Sequence, residues 1–460
     1  MSIDEKISGV KKYTIIGAGV SGKSIAHLAR ACGADVFVSE KGPIKEDTRQ
    51  FFRRLGVIFE EGGNTTEALE ADSLVLSSGV PPTAKIVEKA RLRKIPVIGE
   101  LDFVARHIKG RVIGVTGSNG KTTTTALAGH ILAHAGYETA VAGNIGTPLA
   151  ECAFKEYDWI VAELSSFQLY WAREFRIDIP VVTNIAPDHL DWHGNMNDYI
   201  AAKVKIFSLA REKSAGICQE RDIKRIREIT GIADFKLFPL KKGTLNAAQT
   251  ESGILLTEEA CYLLRENRRI PLFSVDDIPL VGSHNMENAA MASAAVLLAG
   301  VDNMQIAKSL KTFVPLPHRC EKVAEIGGIT YVDDSKGTNV AATVTALSSI
   351  KGPLVVILGG KGKGEEYGPL AEAVARYTLA SILLGEEKDR IANALQKAGY
   401  ESFCKVDTME EAVESATKRA SPGTTVILSP ACTSWDMYEN YKARGEHFKK
   451  IVRSMDGGSS

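Results

Sequence analysis

Residues 114–125 are the stretch whose residue types most directly predict chemistry, with the sequence Gly-Val-Thr-Gly-Ser-Asn-Gly-Lys-Thr-Thr-Thr-Thr. A glycine-rich turn that follows an apolar run and opens a helix presents backbone N–H groups to a phosphate. Gly117 and Gly120 allow that close approach, Lys121 adds a positive charge toward the terminal phosphates, and Thr122 is placed to bind Mg²⁺. The match is incomplete, because the usual pattern has a glycine six positions before the lysine and this chain has a valine there. The turn predicts a site for a nucleoside triphosphate.

Further polar residues stand where the next predicted strands end. Glu163 closes the apolar run at 159–162, and Asn184 closes another. The carboxyl ends of neighbouring parallel strands face one crevice, so Glu163 is the expected Mg²⁺ ligand. Two histidines at i and i+4, His189 and His193, could form a transition-metal site or belong to a polar loop. We expect His189 to touch the nucleotide or the surroundings of the metal, and His193 to be a solvated loop residue.

A second glycine pattern, Gly-Ala-Gly-Val-Ser-Gly at residues 17–22, follows an apolar run near the start of the chain. The strand at 36–39 then ends at Glu40, which completes a pattern typical of dinucleotide-binding folds. Alone it would suggest NAD, but the same glycines suit any pyrophosphate, including a nucleotide diphosphate joined to another group. A turn at 77–82 also follows a strand, at the end where such sheets bind ligands.

Three polar loops follow predicted strands in the last third of the chain, at residues 333–339, 359–364 and 429–436. Their Lys, Ser and Thr content suits an anionic substrate. Upstream of them, Asn285 and Asn288 lie about one turn apart at the start of a long Ala-rich helix. They could grip an adenine or cap that helix.

The helix predicted at 199–207 carries Lys203 and Lys205 beside one apolar face. Helical periodicity alone predicts both lysines to be solvated charges.

Alternating strand and helix patterns predict an α/β protein of three domains, since 460 residues are too many for one core. We predict a Rossmann-like domain at 1–99, a P-loop NTPase-like domain with a mostly parallel sheet at 100–314, and a second Rossmann-like domain at 315–460. Short apolar segments that alternate with charged turns at 235–278 predict a group of antiparallel strands.

Composition narrows the possible partners. The 56 basic and 56 acidic residues give a formal charge of zero, which disfavours nucleic acid as the main partner because such binding needs clustered Lys and Arg. The seven cysteines form no Cys-x-x-Cys pair, as expected for reduced thiols in the cytoplasm. Nowhere do about eighteen apolar residues run together, so a membrane-spanning segment is not expected.

Taken together, these motifs resemble those of the Mur ligases, and among them the branch that adds D-glutamate. The resemblance spans nearly the whole chain, and the runs Ser-Ser-Phe-Gln-Leu at 165–169 and Ser-Pro-Ala-Cys at 429–432 point to that branch. The other matching motifs stand in the family's order at 116–122, 143–146, 163–164, Asn184, Asp188-His189, 201–203, His284-Asn285, Asn288, His318-Arg319, 334–336 and Thr338-Asn339.

The resemblance implies an ATP-dependent ligase that joins UDP-N-acetylmuramoyl-L-alanine to D-glutamate through an acyl phosphate, in cytoplasmic peptidoglycan precursor synthesis. It implies ATP, two Mg²⁺ ions and a CO₂-derived carbamate on Lys203 as cofactors. The partners would be small-molecule substrates, with no nucleic acid and no membrane, and the protein would be a monomer.

The resemblance also implies five groups of site residues. The catalytic residues would be Lys121, His189, Lys203 and Arg319. ATP would be bound by Gly117, Ser118, Asn119, Gly120, Lys121, Thr122, Thr123, Asn285, Arg319 and Asp334. The UDP-linked substrate would be bound by Val20, Ser21, Gly79, Asn144 and Ser165. D-Glutamate would be bound by Thr338, Lys363, Ser434, Trp435 and Tyr441. The metal ligands would be Thr122, Glu163, His189 and Lys203 as its carbamate.

Three other functions fit part of the sequence. An NAD-dependent oxidoreductase would explain the glycines at 17–22 but not the phosphate loop. A nucleotide-dependent switch protein would explain that loop but not the cationic loops near the end of the chain. A related ligase that adds a different amino acid is the nearest competitor.

Overall fold

The computed structural model describes residues 12–231, 235–244, 252–265, 268–280 and 282–456. The chain divides into two compact units. One consists of Met1–Asp277 and Asn288–Lys311, and the other of Ile278–Glu287 and Thr312–Ser460.

The first unit begins with a five-stranded parallel sheet in the order β3-β2-β1-β4-β5. Its strands are β1 Lys12–Ile16, β2 Asp35–Ser39, β3 Ile58–Glu60, β4 Ser73–Leu76 and β5 Val97–Gly99. The strand order changes direction between β1 and β4, and ligands of such sheets bind in the crevice at that point.

The first unit also contains a nine-stranded sheet in the order β14-β13-β12-β11-β10-β9-β6-β8-β7. Its strands are β6 Arg111–Thr116, β7 Thr139–Gly143, β8 Trp159–Glu163, β9 Ile179–Val182, β10 Ala215–Gln219, β11 Lys236–Lys242, β12 Gly253–Leu256, β13 Ala260–Arg265 and β14 Arg268–Ser274. Only the pairs β12–β13 and β13–β14 are antiparallel. The prediction of antiparallel strands at 235–278 is therefore right for β12, β13 and β14. It is wrong for β11, which pairs parallel to β10 because a helix connects the two strands.

The second unit is built on a six-stranded sheet in the order β15-β16-β20-β17-β18-β19, in which only β15–β16 is antiparallel. Its strands are β15 Glu321–Ile326, β16 Ile329–Asp333, β17 Leu354–Gly359, β18 Thr378–Leu384, β19 Phe403–Lys405 and β20 Thr425–Leu428.

Sixteen α-helices connect the strands in the described part of the chain. They are α1 Val20–Ala31, α2 Glu46–Arg54, α3 Lys85–Leu92, α4 Glu100–Val104, α5 Lys121–His134, α6 Ser166–Trp171, α7 Leu190–His193, α8 Met196–Ser208, α9 Ile223–Thr230, α10 Ser283–Leu298, α11 Asn303–Lys311, α12 Val340–Ser349, α13 Gly368–Tyr377, α14 Lys388–Lys397, α15 Met409–Lys418 and α16 Tyr441–Asp456. None that the structure describes is long and apolar enough to cross a membrane.

The strands are buried because helices cover the sheets. All five residues of β8 and all six of β17 are buried, as expected for central strands of covered parallel sheets. The predicted α/β class is confirmed, with Rossmann-like first and last sheets and a mostly parallel, P-loop-like sheet between them in the chain.

Candidate active site

The glycine-rich turn lies between β6 and α5, and its glycines cannot be replaced without a clash. Gly117 has φ +144°, and a Cβ there would lie 1.9 Å from Thr183 Oγ1. Gly120 has φ +81° and caps α5, and a Cβ there would lie 2.2 Å from Asn288 Oδ1. The turn is thus packed on both sides against polar side chains, and α5 begins at Lys121 with its N-terminal N–H groups at the turn.

The loop after β9 holds this turn in shape. Asn184 Oδ1 accepts from the Asn119 N–H at 2.9 Å, and its carbonyl accepts from the Ser118 N–H at 2.9 Å. Ser118 Oγ lies 2.7 Å from Ala186 O and 2.8 Å from the Tyr199 hydroxyl. The sequence does not indicate that Ser118 Oγ contacts Ala186 and Tyr199, because these contacts depend on packing between distant segments of the chain.

Two lysines converge on one carbonyl of the turn. Lys121 Nζ donates to Gly117 O at 2.7 Å and to Ser118 O at 2.8 Å. Lys203 Nζ, from α8, also donates to Gly117 O at 2.7 Å. The glycine-rich turn therefore has two amino groups beside it, one from the first residue of α5 and one from a helix about eighty residues later in the chain.

The prediction that Lys203 is solvated is wrong. Its side chain is only 2% exposed and lies with Nζ 4.7 Å from the centre of the Tyr199 ring. Burial, and then the charge of Lys121, lower the pKa of Lys203 well below its ordinary value. The Lys203 amino group is consequently held toward its neutral, nucleophilic form. Lys205 faces the other way, and its Nζ donates to Tyr170 O at 2.9 Å.

Glu163 ends β8 directly beside β6 and is only 2% exposed. Its Oε1 accepts from Asn144 Nδ2 at 2.9 Å, whereas its Oε2 is buried without a hydrogen-bond partner among the described residues. A buried carboxylate oxygen without a donor is costly, and a divalent cation would remove that cost. Carboxylate and hydroxyl oxygens are also the ligands that Mg²⁺ prefers, so Glu163 and Thr122 fit a magnesium site.

The two histidines after β9 have different surroundings. His189 adopts φ +50° and packs edge-on against Phe167 at 4.9 Å, with Nε2 3.4 Å from Asp188 Oδ2. His193 is only 7% exposed, and its Nε2 lies 2.9 Å from Ser166 Oγ. The prediction of a solvated loop residue is wrong for His193, because the helical turn α7 points its ring inward.

The crevice of the first sheet lies between the loops that follow β1 and β4. Val20 is 72% exposed at the start of α1, and Gly79 is exposed in the other loop. Glu40 does not reach into open solvent, because its carboxylate accepts from the Ala18 N–H at 2.7 Å and from the Gly42 N–H at 3.1 Å. An acidic side chain already bound to the glycine turn is a poor partner for the ribose of NAD.

Three polar loops of the second unit meet at the carboxyl ends of the adjacent strands β16, β20 and β17. They are joined by backbone hydrogen bonds: Ala431 N donates to Gly337 O at 2.9 Å, and Lys361 N donates to Thr433 O at 2.9 Å. The predicted D-glutamate residues lie on these loops or at the start of α16: Thr338, Lys363, Ser434, Trp435 and Tyr441. Trp435 is 68% exposed and Ser434 is buried.

A buried arginine supports these loops and was missed from the sequence. Arg444 donates to Ser335 Oγ at 3.0 Å, Ser335 O at 2.9 Å, Cys432 O at 3.1 Å and Thr433 O at 3.2 Å. It thereby joins the loop after β16 to the loop after β20. Its position on the amphipathic helix α16 does not indicate that it is buried, since a basic residue on such a helix is usually solvated.

The predicted ATP residues of the second unit are Arg319, Asp334 and Asn285. Arg319 lies between His318 at φ +64° and Cys320 at φ +45°, and His318 Nδ1 lies 2.7 Å from Asp333 Oδ2. Asp334 Oδ2 accepts from Ser429 Oγ at 2.7 Å, and burial raises the pKa of Asp334 to about 7. Asn285 is buried near the start of α10.

Comparisons with known proteins match almost the whole chain. Residues 12–86 match the family model described as the MurD N-terminal domain, residues 115–296 the Mur ligase middle domain, and residues 318–432 the Mur ligase, glutamate ligase domain. Two relatives are both named UDP-N-acetylmuramoylalanine--D-glutamate ligase. The one from Bacteroides fragilis is 38% identical over 452 residues, covering 97% of this chain and 100% of the relative. The one from Pelotomaculum thermopropionicum is 38% identical over 453 residues, covering 97% and 98%.

A solved structure shares the fold. UDP-N-acetylmuramate-alanine ligase from Thermotoga maritima superposes with a TM-score of 0.57 at 20% identity, covering 97% of this chain and 100% of that one.

Proposed function

The chain belongs to the Mur ligase family, and from this premise we propose that it joins UDP-N-acetylmuramoyl-L-alanine to D-glutamate while ATP is converted to ADP and phosphate, a step of peptidoglycan precursor synthesis. The observation that carries the proposal is the likeness over 97% of the chain to relatives named for this reaction. The phosphate turn at Lys121 and the cationic loops of the second unit support it, because they offer sites for a triphosphate and for an anionic amino acid.

The reaction needs activation because a carboxylate is unreactive toward an amine. An oxygen of the substrate carboxylate attacks the terminal phosphorus of ATP, the bond to ADP breaks, and an acyl phosphate forms. The uncharged amino group of D-glutamate then attacks the acyl carbon, the nitrogen loses one proton, which the leaving phosphate can take up, and the tetrahedral intermediate collapses to the amide as phosphate leaves. Negative charge gathers on phosphoryl and carbonyl oxygens in both steps, so fixed cations in a water-poor site accelerate them.

We assign roles in this reaction to residues of the phosphate turn and its neighbours. Lys121 would neutralise the terminal phosphates of ATP, and the amides at 117–123 would bind their oxygens. Mg²⁺, when bound, supplies further charge neutralisation there, and Thr122, Glu163 and His189 would hold the two ions. The buried Oε2 of Glu163 supports this assignment.

We propose the remaining binding residues on the same premise. The UDP-linked substrate would be bound by Val20, Ser21, Gly79, Asn144 and Ser165. Arg319 would bind the ATP phosphates, Asp334 the ribose and Asn285 the adenine. D-Glutamate would be bound by Thr338, Lys363, Ser434, Trp435 and Tyr441.

The most detailed part of the proposal is a carbamate on the Nζ of Lys203. The lone pair of a neutral Nζ would attack the carbon of CO₂, and loss of one proton would leave an anionic carbamate whose oxygens can bind Mg²⁺. Burial beside Lys121 supports this assignment, because it lowers the pKa of Lys203, which favours the neutral amine, and provides a neighbouring positive charge for the product.

We further propose domain boundaries after residues 99 and 314, and a monomer that acts in the cytoplasm without a nucleic-acid or membrane partner. The formal charge of zero and the absence of a long apolar run in the sequence support this view of its partners.

The substrate pair is tested by one assay of phosphate release. We expect release with ATP, Mg²⁺ and UDP-N-acetylmuramoyl-L-alanine to require D-glutamate, and other D- and L-amino acids to give far less. An amino-acid site built for one enantiomer loses several contacts with the other, so a ratio of about 100 or more is expected. If L-glutamate or another amino acid reacts faster, the enzyme is a related ligase of different specificity.

The magnesium assignment predicts the behaviour of Glu163→Gln. This change keeps the size of the side chain but removes its charge, so we expect the Mg²⁺ concentration for half-maximal activity to rise about 10–100-fold. Titration of activity with Mg²⁺ measures the shift, with Glu156→Gln as the control because Glu156 is exposed and pairs with Lys109. An unchanged Mg²⁺ dependence in Glu163→Gln would remove Glu163 from the metal site.

A further inference from the structure

The turn that follows β4 bounds one side of the crevice of the first sheet and carries Gly79. Within this turn, Val80 N donates to Ser77 O at 3.2 Å. A Cβ on Gly17, in the loop after β1, would lie 2.2 Å from Ser77 Oγ. The two loops are therefore in close contact, and the placement of the turn sets the shape of the crevice.

Two tryptophan side chains bond to successive carbonyl groups of this turn. Trp192 Nε1, from α7, donates to Gly79 O at 3.4 Å, and Trp171 Nε1, from α6, donates to Val80 O at 3.3 Å. An indole has one N–H group and no acceptor, so the only polar atom of each ring is committed to the turn. The two donors lie 113 and 91 positions after the residues that they meet.

Trp171 is fixed in place by the core of the first sheet. It is 8% exposed and packs in one cluster with Ile16 of β1, Leu76 of β4 and Val87 of α3. A Cβ on Gly99, the last residue of β5, would lie 2.4 Å from Trp171 Cβ. Because the ring cannot move without opening this closely packed core, its N–H is a fixed donor for the turn.

Trp192 is held by two aromatic rings of α6. The centre of its ring lies 4.8 Å from that of Phe167, in a tilted arrangement, and 5.3 Å from that of Tyr170, edge-on. Edge-on contacts at such distances are favourable for aromatic pairs. Trp171 follows Tyr170 directly in α6, so this one helix supports both indole donors.

Helix α6 is joined in turn to α4. Gln168 Nε2 donates to Glu100 Oε2 at 3.2 Å, and both residues are buried. Just after α6, the N–H groups of Arg173 and Glu174 donate to Asp102 Oδ1 at 2.8 and 2.9 Å. These bonds fix α6 relative to the turn, because α4 begins directly after β5, the strand that pairs with β4.

We propose that Trp171 and Trp192 are positioning residues, which hold the turn at residues 77–82 in the conformation that binds the UDP-linked substrate. The inference rests on the proposed function, in which Gly79 binds this substrate. Among the described residues no acceptor meets the Gly79 N–H, whereas the Gly79 carbonyl is bonded to Trp192. The positioned turn therefore offers a donor to the substrate, and a UDP group supplies acceptor oxygens on its phosphates and its uracil ring.

Trp171→Phe tests the inference, because phenylalanine keeps an aromatic ring in the core and removes the N–H. Calorimetric titration with UDP-N-acetylmuramoyl-L-alanine should show an affinity about three- to tenfold lower than in the unchanged protein, as expected for the loss of one buried hydrogen bond. Affinity for Mg²⁺-ATP, titrated separately, should be unchanged. Trp192→Phe should lower the affinity for the UDP-linked substrate about twofold, since water can reach this half-buried ring and replace the bond.

Trp159→Phe is the matched control. Trp159 is a tryptophan of β8 that is 1% exposed and lies at the opposite end of this strand from Glu163. We expect Trp159→Phe to lower the unfolding temperature without changing the affinity for UDP-N-acetylmuramoyl-L-alanine. Unchanged affinity in Trp171→Phe, an equal loss in Trp159→Phe, or an equal loss for ATP in Trp171→Phe would each overturn the inference.

A spectroscopic measurement on the unchanged protein keeps the inference testable if Trp171→Phe does not fold. The chain has four tryptophans, so ¹⁵N-labelled indole groups give four signals, which Trp→Phe variants assign, the last one by elimination. Addition of UDP-N-acetylmuramoyl-L-alanine should shift the signals of Trp171 and Trp192, because the carbonyls that accept from them belong to the substrate-binding turn, and leave the signal of Trp159 in place. If neither indole signal shifts at saturation, the inference is wrong. A failure of the unchanged protein to bind this substrate would overturn the proposed function instead.

Discussion

Lys121→Ala should lower turnover by about 100–1,000-fold and leave the fold intact. The loss is expected because removal of one preorganised charge that stabilises a transition state typically costs that much. The fold should survive because Lys203 Nζ still donates to the carbonyl of Gly117 when the amino group of Lys121 is removed. Phosphate release at saturating substrates measures the first effect, and thermal unfolding measures the second.

A matched control distinguishes this role from a general effect of a lost lysine. Lys109 lies in the same unit, is exposed, and pairs with Glu156 on the surface, so Lys109→Ala should retain full activity because exposed ion pairs contribute little. Titration with ATP should also show weaker binding in Lys121→Ala alone. Turnover of Lys121→Ala close to that of Lys109→Ala would show that the glycine turn is not the triphosphate site.

The glycine-rich turn before α5 could be predicted from the sequence because its determinants are local. An apolar strand, glycines at positive φ and a helix that begins at Lys121 all lie within about fifteen residues of one another in the chain. Glu163 was predicted for a related reason, since the carboxyl ends of parallel strands always share an edge of the sheet. The sequence did not indicate that one carboxylate oxygen of Glu163 has no hydrogen-bond donor in the described part of the chain.

Burial of polar residues could not be predicted from periodicity. Lys203 and Lys205 are two positions apart on α8, and the pattern treated them alike, yet only Lys203 is fully buried. The difference arises because Lys203 faces the phosphate turn, which lies more than eighty positions earlier in the chain. The same reasoning applies to His193, which Ser166 meets from a distant helix.

The hydrogen bond between Glu100 and Gln168 could be predicted only in part, because one of its two ends belongs to a recognisable sequence pattern. The Ser165-x-x-Gln168 spacing is that of a capping box and could have been read as a helix start. The partner of the Gln168 amide, however, lies 68 positions away. A single sequence does not show which distant residues form such pairs, because the pairing depends on how α4 and α6 pack.

Lys203→Ala should lower turnover by about 100-fold or more, and short-chain acids such as formate and acetate should partly restore it. The change removes the amine that would carry the carbamate, so an oxygen ligand of the second Mg²⁺ is lost with it. It also leaves a cavity between α8 and the phosphate turn, where the side chain is now 2% exposed. A small carboxylate can enter that cavity and supply the missing oxygens, whereas chloride at equal ionic strength has no oxygen to supply.

Lys205→Ala is the internal control for this prediction, because Lys205 lies on the same helix and its Nζ donates to a backbone carbonyl away from the turn. It should keep most of its activity and gain nothing from added acid. Activity at a series of formate concentrations, with thermal unfolding of each variant, measures both effects. Formate should raise the activity of Lys203→Ala. It should not raise the unfolding temperature of this variant to that of the unchanged protein, because a bound formate does not fill the cavity left by the lysine side chain. A folded Lys203→Ala that no acid improves would argue that Lys203 acts as an amine and carries no carbamate.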